Sequence, residues 1–191
     1  MRRVRLRVAL SLDGFIADIN GGVEWLHRFH DKGSREDYGM TKFFREIDTV
    51  LMGRHTHDFA LSHGMASYPG MQNFVFTRSK PAGKRDGVEY ISGNPAEVIA
   101  ALRKKPGKDI WLCGGDNLAH QLFEQRLIDE VGIAIIPILL GDGIPLFVKS
   151  YPETELTLTE CQAYKNGLVN LLYKRAAEQQ SSSPRRARKK R

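Results

Sequence analysis

The run Gly53-Arg54-His55-Thr56 combines the residue types that bind an anion. The apolar residues 50–52 precede it as a predicted strand, so Gly53 would end a strand and the residues after it would begin a helix. A helix N-terminus presents N–H groups without partners inside the helix, and the Arg54 guanidinium adds donors suited to phosphate. The run therefore predicts a phosphate-binding turn for a nucleotide cofactor. The alternative is an ordinary turn in which Thr56 caps the helix and Arg54 is solvated.

Three further polar or glycine-bearing turns follow predicted strands: Asp13-Gly14, Thr77-Arg78-Ser79 and Gly114-Gly115. In open parallel sheets, ligands bind at the carboxyl ends of the strands. Four such turns on one rim predict a cofactor cleft. For Gly114-Gly115 alone, the alternative is a plain turn from strand to helix.

Strands and helices alternate along most of the chain. An alternating pattern predicts a strand at about 3–12, and short apolar segments predict further strands at about 49–52, 73–77, 88–91, 109–113, 130–140, 156–161 and 167–173. Helical patterns cover about 34–47, 56–62, 95–104 and 117–125, with Ser34 and Asn94 as predicted N-caps. This order predicts an α/β fold of three αβα layers. Its central sheet would be mixed but mostly parallel, and an antiparallel C-terminal hairpin would close it.

The positive charge of the chain is concentrated at its C-terminus. The last eight residues hold six of the 29 lysine and arginine residues and no acidic one, which leaves 23 basic against 22 acidic residues elsewhere. We expect a folded domain over residues 1–175 and a disordered basic tail over 176–191. No apolar run approaches the roughly 20 residues of a membrane span, and Cys113 and Cys161 form neither a zinc motif nor a disulfide framework. A cytoplasmic protein without a metal is the default expectation.

The chain resembles the dihydrofolate reductase fold and, within it, the reductase domain of bacterial riboflavin biosynthesis (the RibD C-terminal domain) with its stand-alone relatives. The resemblance covers about residues 4–173. It rests on the segments Ala9-Leu10-Ser11-Leu12-Asp13-Gly14-Phe15-Ile16-Ala17, Met52-Gly53-Arg54-His55-Thr56, Gly114-Gly115-Asp116-Asn117-Leu118, Leu127-Ile128-Asp129-Glu130 and Pro137-Ile138-Leu139-Leu140-Gly141-Asp142-Gly143-Ile144-Pro145-Leu146-Phe147.

The resemblance implies NADPH as cofactor. Arg54 would be the main partner of the 2′-phosphate and Arg78 a second one, because a dianionic phosphate needs a charge-assisted partner. Ala9 and Ile16 would line the nicotinamide. The cofactor contacts implied in this way are Ala9, Ile16, Gly53, Arg54, His55, Thr56, Thr77, Arg78, Ser79, Gly114, Gly115, Asp116, Asn117 and Leu118.

On the substrate side, the resemblance implies roles for Asp37 and Trp25. Asp37 lies sixteen residues before Gly53, the spacing at which classical dihydrofolate reductases place the carboxylate that binds the pterin. It would be the proton source, directly or through a water near Trp25. The alternatives are that Asp37 only serves a helix N-terminus and that Trp25 belongs to the core.

The implied reaction is hydride transfer from NADPH to a C=N or C=O carbon of a small pteridine, aminopyrimidine or carbonyl substrate, as in 5-amino-6-(5-phosphoribosylamino)uracil reductase. The usual Arg and Asp-Asp-Pro motifs of riboflavin-pathway reductases are missing after Asp58, so the chain fits the stand-alone relatives better. The resemblance and the Ile-rich late strands favour a homodimer. Two other functions stay open: nucleic-acid binding through the basic tail, and a non-catalytic nucleotide-binding module.

Overall fold

The computed structural model describes residues 1–27, 36–79, 81–147 and 153–176. The strands are β1 (Val4–Ser11), β2 (Phe15–Ala17), β3 (Ile47–Gly53), β4 (Gln72–Phe76), β5 (Gly83–Arg85), β6 (Val88–Ile91), β7 (Asp109–Gly114), β8 (Glu130–Ile136), β9 (Ile144–Pro145), β10 (Leu156–Ala163) and β11 (Val169–Arg175). The helices are α1 (Glu24–His27), α2 (Met40–Arg45), α3 (Arg54–Ser62), α4 (Pro95–Arg103) and α5 (Asp116–Glu124).

Within the described residues, nine strands form one sheet in the order β10-β11-β8-β1-β7-β3-β4-β6-β5. The six strands from β8 to β6 run parallel, while β5, β10 and β11 pair antiparallel with their neighbours. A second, two-stranded sheet pairs β2 with β9. The mixed sheet and its closing antiparallel hairpin confirm the predicted fold class.

Alternate residues of β3 enter the two hydrophobic cores that cover the sheet. Val50 and Met52 pack on the α2 side with Phe43, whereas Leu51 packs on the opposite side with Leu122 of α5. All five side chains are buried. A strand covered on both faces is apolar at consecutive positions, which is why residues 50–52 show no alternation.

Arg5 of β1 and Arg3 just before this strand are paired with carboxylates. The Arg5 guanidinium contacts the carboxylate of Glu130. Its Nη1 also lies 2.6 Å from Oε2 of Glu46. Arg3 pairs with Asp109, Nη2 to Oδ2 at 2.6 Å. A buried charge is costly unless it is paired, so these contacts favour the observed alignment of β1 with β7 and β8.

Most predicted elements are present with shifted ends. The helix predicted over 34–47 is shorter, because α2 ends at Arg45 and β3 begins at Ile47. Gly39 stands before α2 at φ 76°, and the predicted cap Ser34 lies outside the described residues. Strand β8 ends at Ile136 instead of Leu140, since Pro137 lacks the N–H that a ladder needs.

Other local predictions are confirmed. The Asn94 side chain accepts a hydrogen bond from the Ala96 N–H and caps α4, and β10 and β11 form the predicted hairpin. The sequence patterns missed α1, β2, β5 and β9, which are all short. The predicted disordered tail lies outside the described residues, apart from Ala176. No helix in the described ranges combines the length and apolarity that crossing a membrane requires.

Candidate active site

Two helix N-termini meet at the carboxyl end of the sheet. Helix α3 follows β3 directly and α5 follows β7, and these two strands are neighbours. The N-caps of both helices are glycines, Gly53 and Gly115, and in the described part of the chain no side chain caps either end. In α4, by contrast, Asn94 fills this role. The N–H groups at the start of α3 and α5 therefore remain available for an anionic ligand.

The approach of these two ends depends on Gly115. Its φ is +96°, and an added Cβ would lie 3.4 Å from Oγ1 of Thr56 and 3.5 Å from Cα of Gly53. Glycine adopts this conformation without the penalty that a side chain brings. The structure thus makes Thr56 part of the first turn of α3, in contact distance of the other helix end, and not its N-cap.

A cavity of about 540 Å³, which we call the β4 cavity, opens beside these helix ends. Arg54 enters it from α3: Nη1 donates to Oγ of Ser79 at 2.9 Å, and Nε contacts the Asp58 carboxylate. Oγ1 of the buried Thr77 accepts from the Ser79 N–H at 3.2 Å and holds this loop. Among the described residues, Nη2 of Arg54 has no hydrogen-bond partner. The cavity therefore offers a guanidinium and hydroxyl groups to an anion.

A second cavity of about 720 Å³, the β1 cavity, lies on the other side of the same helix ends. His55, Thr56, Gly115 and Asp116 line both cavities. Apart from these, the β1 cavity is lined largely by apolar side chains, among them Ala9, Ile16, Ala17, Val23, Leu26, Phe59, Ala134, Ile136, Ile144 and Leu168. Such an environment suits a planar aromatic ring better than a phosphate.

The loop that carries Ile16 into the β1 cavity is tied down by Asp13. Its carboxylate accepts hydrogen bonds from the Ser11 hydroxyl at 2.6 Å and from the Gly141 N–H at 2.8 Å. These bonds, with that of Ser11 the strongest, lower the pKa of Asp13. The predicted Asp13-Gly14 turn thus acts as a structural tether of the cavity wall.

Every predicted cofactor contact lines at least one of these cavities. Ala9, Ile16 and Gly114 line the β1 cavity alone. The predicted contacts that line only the β4 cavity are Gly53, Arg54, Thr77, Arg78, Ser79, Asn117 and Leu118. Three of the four predicted turns therefore border the groove that the two cavities form together, whereas Asp13-Gly14 lines neither cavity and only tethers the wall.

The two residues predicted for the substrate side line neither cavity. Asp37 is exposed, and its carboxylate accepts the N–H groups of Gly39 at 2.9 Å and Thr41 at 3.0 Å. A hydrogen bond from the Thr41 side chain contributes most to lowering the pKa of Asp37, and the two N–H groups lower it further. This geometry corresponds to the alternative in which Asp37 serves the start of α2, because its oxygens point at helix donors and not into the groove.

Trp25 is buried in a small core with Ile136 and Leu168 behind the β1 cavity. Its Nε1 has no hydrogen-bond partner within the described part of the chain. The placement agrees with the core alternative for this residue, since a side chain packed behind the wall does not contact a ligand in front of it.

Sequence patterns missed three polar residues that line the β1 cavity: Arg7, Tyr38 and Asn170. In the sequence, Arg7 is one of the polar positions of the alternating strand predicted at about 3–12. Cys113 also lines this cavity, and burial raises the pKa of its thiol to about 12. The thiol is therefore protonated near neutral pH and a poor nucleophile.

The groove fits NADPH in chemistry. A dinucleotide phosphate needs anion-binding donors, a close backbone approach and an apolar site for its ring, and the groove has all three. The space between the two helix ends, which a Cβ at Gly115 would fill, allows the backbone to approach a ligand closely.

Comparisons with known proteins agree with this architecture. The chain is 34% identical over 176 residues to the uncharacterized protein YwjB of Bacillus subtilis (strain 168), covering 92% of this chain and 99% of YwjB. A solved protein from Shewanella sp. PV-4, provisionally assigned to riboflavin biosynthesis, superposes with a TM-score of 0.81 at 28% identity over 93% of this chain and 100% of that one.

Dihydrofolate reductase from Enterococcus faecalis, solved with NADP(H), shares the fold with a TM-score of 0.65 at 19% identity over 92% of this chain and 97% of that chain. The sequence profile of the RibD C-terminal domain matches residues 2–170. With this match over nearly its whole length, the chain belongs to the RibD C-terminal domain family.

Proposed function

We propose that the protein is an NADPH-dependent reductase that transfers a hydride to a small planar substrate. The observation that carries the proposal is the meeting of two glycine-capped helix N-termini, at Gly53 and Gly115, beside Nη2 of Arg54, which has no hydrogen-bond partner among the described residues. Family membership and the NADP(H) complex of the Enterococcus faecalis enzyme support the same cofactor.

In this proposal, the β4 cavity binds the phosphate groups of the cofactor and the β1 cavity holds its nicotinamide. Arg54 and Arg78 would hold the 2′-phosphate. The N–H groups at the start of α3 and α5 would donate hydrogen bonds to the remaining phosphate groups. The bound cofactor would supply the hydride. Ala9 and Ile16 would position the ring and keep water from it, which leaves the rest of the β1 cavity for the substrate.

The substrate of the riboflavin pathway is not the one we propose. Its ribose phosphate would need cationic partners beyond the turn at residues 53–56, but the segment after Asp58 continues as helix α3 with Phe59, Ala60 and Leu61. A small carbonyl or oxo-heterocyclic substrate without a sugar phosphate is more compatible with the apolar walls of the β1 cavity.

Titration of the purified protein with NADPH and with NADH, followed by nicotinamide fluorescence, tests the proposal. We expect saturable binding of NADPH and weaker binding of NADH, because only NADPH carries the phosphate that Arg54 would bind. If neither nucleotide binds, both the reductase and the alternative of a non-catalytic nucleotide-binding module are wrong. Binding without oxidation of NADPH by any carbonyl or heterocyclic substrate would favour the non-catalytic module.

We also propose a homodimer, with the C-terminal hairpin as its contact. Strand β10 is an edge strand whose eight residues are all exposed, including Leu156 and Leu158. An edge of this kind pairs readily with another strand. Sedimentation equilibrium should give the mass of a dimer for the wild type and of a monomer for Leu158→Lys, whereas a monomeric wild type would contradict the proposal.

A further inference from the structure

Among the described residues, Arg7 differs from Arg5 on the same strand and from Arg3 just before it in having no carboxylate partner. Arg3 and Arg5 each form ion pairs. Within the described residues, Arg7 forms none: its Nη2 donates to the backbone oxygen of Tyr38 at 3.1 Å, and its other guanidinium nitrogens make no hydrogen bond. A guanidinium carries five donors, so most of the hydrogen-bonding capacity of Arg7 is unused.

The surroundings of Arg7 compensate its charge only in part. Its guanidinium carbon lies 4.9 Å from the centre of the Phe43 ring, a favourable cation–π contact, but Arg5 lies over the same ring at 5.0 Å. Partial burial, with a smaller contribution from the positive charge of Arg5, lowers the pKa of Arg7. Glu130 and Glu160 act in the opposite direction, but neither forms an ion pair with Arg7 in the described ranges. A half-buried cation without an anion is costly, and a bound anion would relieve this cost.

Arg7 also lies where a substrate would be. It precedes Ala9 by two residues and shares its face of the sheet, and it lines the β1 cavity together with Tyr38 and Asn170. The neighbouring strand has Gly132 opposite Arg7, where an added Cβ would lie 3.5 Å from Cγ of Arg7. The absence of a side chain there leaves room for the arginine on the covered face of the sheet.

We propose that Arg7 binds an anionic oxygen of the substrate, such as a carboxylate or the ionised oxygen of an acidic heterocycle. The inference rests on the proposed reductase function and makes its substrate an acid. Asn170 supports this geometry from β11, because its Nδ2 holds the same Tyr38 oxygen at 2.9 Å and keeps that backbone in place. An acidic substrate differs from the aminopyrimidine that a catalytic carboxylate at Asp37 would select.

The test uses matched acids and neutral analogues as probes: orotate against uracil, and benzoate against benzamide. Binding of each probe to the NADP⁺-saturated protein is measured by isothermal titration calorimetry. The proteins are the wild type, Arg7→Gln, Arg7→Lys and the control Lys42→Gln. Lys42 is exposed on α2 and belongs to a neighbouring polar cavity that also contains Arg7, so its replacement removes the same charge nearby without changing the β1 cavity.

We expect the wild type to bind at least one acid roughly 10- to 100-fold more tightly than its neutral analogue, as the loss of one charge-assisted hydrogen bond implies. Arg7→Gln should abolish this preference, and Lys42→Gln should keep it. Arg7→Lys keeps the charge but not the planar fork, so the preference should become smaller. No preference in the wild type for either pair, or an unchanged preference in Arg7→Gln, would overturn the inference.

Two controls separate this inference from the proposed function and from misfolding. NADPH titration of each variant reports cofactor binding: its failure in the wild type contradicts the reductase itself, whereas normal NADPH binding without an acid preference contradicts only the role of Arg7. Circular dichroism shows whether each variant is folded. If Arg7→Gln does not fold, an acid preference in Arg7→Lys equal to that of the wild type overturns the inference.

Discussion

Nη1 of Arg54 donates a hydrogen bond to Oγ of Ser79 at 2.9 Å and so joins the start of α3 to the loop after β4. Residues 25 positions apart in the chain thereby form one wall of the β4 cavity. The contact holds the guanidinium at the cavity, where it would bind the 2′-phosphate that distinguishes NADPH from NADH.

Replacing Arg54 by glutamine should weaken NADPH binding by about 1.5–3 kcal/mol, the contribution of a hydrogen bond to a charged group, and should weaken NADH binding far less. Fluorescence titrations with both nucleotides measure the difference. Arg85→Gln is the matched control, because Arg85 is exposed on β5 and lies over the Tyr90 ring instead of in the cavity. An equal loss for both nucleotides would show that Arg54 does not bind the 2′-phosphate.

Gly115→Ala should reduce both stability and NADPH affinity. The φ of +96° disfavours any side chain, at a cost of about 1–3 kcal/mol, and the added Cβ would occupy the space between the two helix ends, in van der Waals contact with the Gly53 backbone. Gly64→Ala is the control, since Gly64 has a φ of +78° but an open environment after α3. Urea unfolding should show a loss for both variants, whereas titration should show weaker NADPH binding for Gly115→Ala alone. Unchanged affinity in Gly115→Ala would mean that the close approach of the two helix ends does not serve the cofactor.

Asp37 should act on the stability of α2 and not on turnover. Asp37→Ala removes the acceptor of two N–H groups and should lower the melting temperature, while Asp37→Ser retains a capping oxygen and should largely restore it. Once an active substrate is known, kcat should be similar for both variants and the wild type. If serine restores the melting temperature but kcat falls in both variants, Asp37 is the proton source after all.

The tether at Asp13 should make stability depend on pH. Its hydrogen bonds lower the pKa of Asp13 in the folded protein below the ordinary value of 3.8, so the ionised carboxylate stabilises the fold. This contribution is complete well above pH 3.8 and is lost as the pH falls through the folded pKa. The difference in unfolding free energy between the wild type and Asp13→Asn should therefore be largest near neutral pH and shrink towards pH 3. Urea titrations across this range measure it, and a difference independent of pH would contradict the tether.

Local sequence determined the elements and the phosphate-binding turns. The uninterrupted apolar residues of β3 require a strand covered on both faces, and the glycine after them allows a helix to begin at once. Asn94 before Pro95 sets the start of α4 in the same local way. These features depend on neighbours within a few residues, so the chain specifies them before it folds, and the turns could be recognised as candidate cofactor contacts.

Only the tertiary structure decided what the other polar residues do. Arg5 and Arg7 occupy equivalent positions in the alternation of β1, yet Arg5 meets Glu130 and Glu46 while Arg7 meets a backbone oxygen at a cavity wall. Asp37 has a spacing that suits catalysis but carboxylate oxygens that bind the start of α2. The difference lies in partners from distant segments, because the free energy of a charge depends on its solvation and on the charges that the fold brings to it.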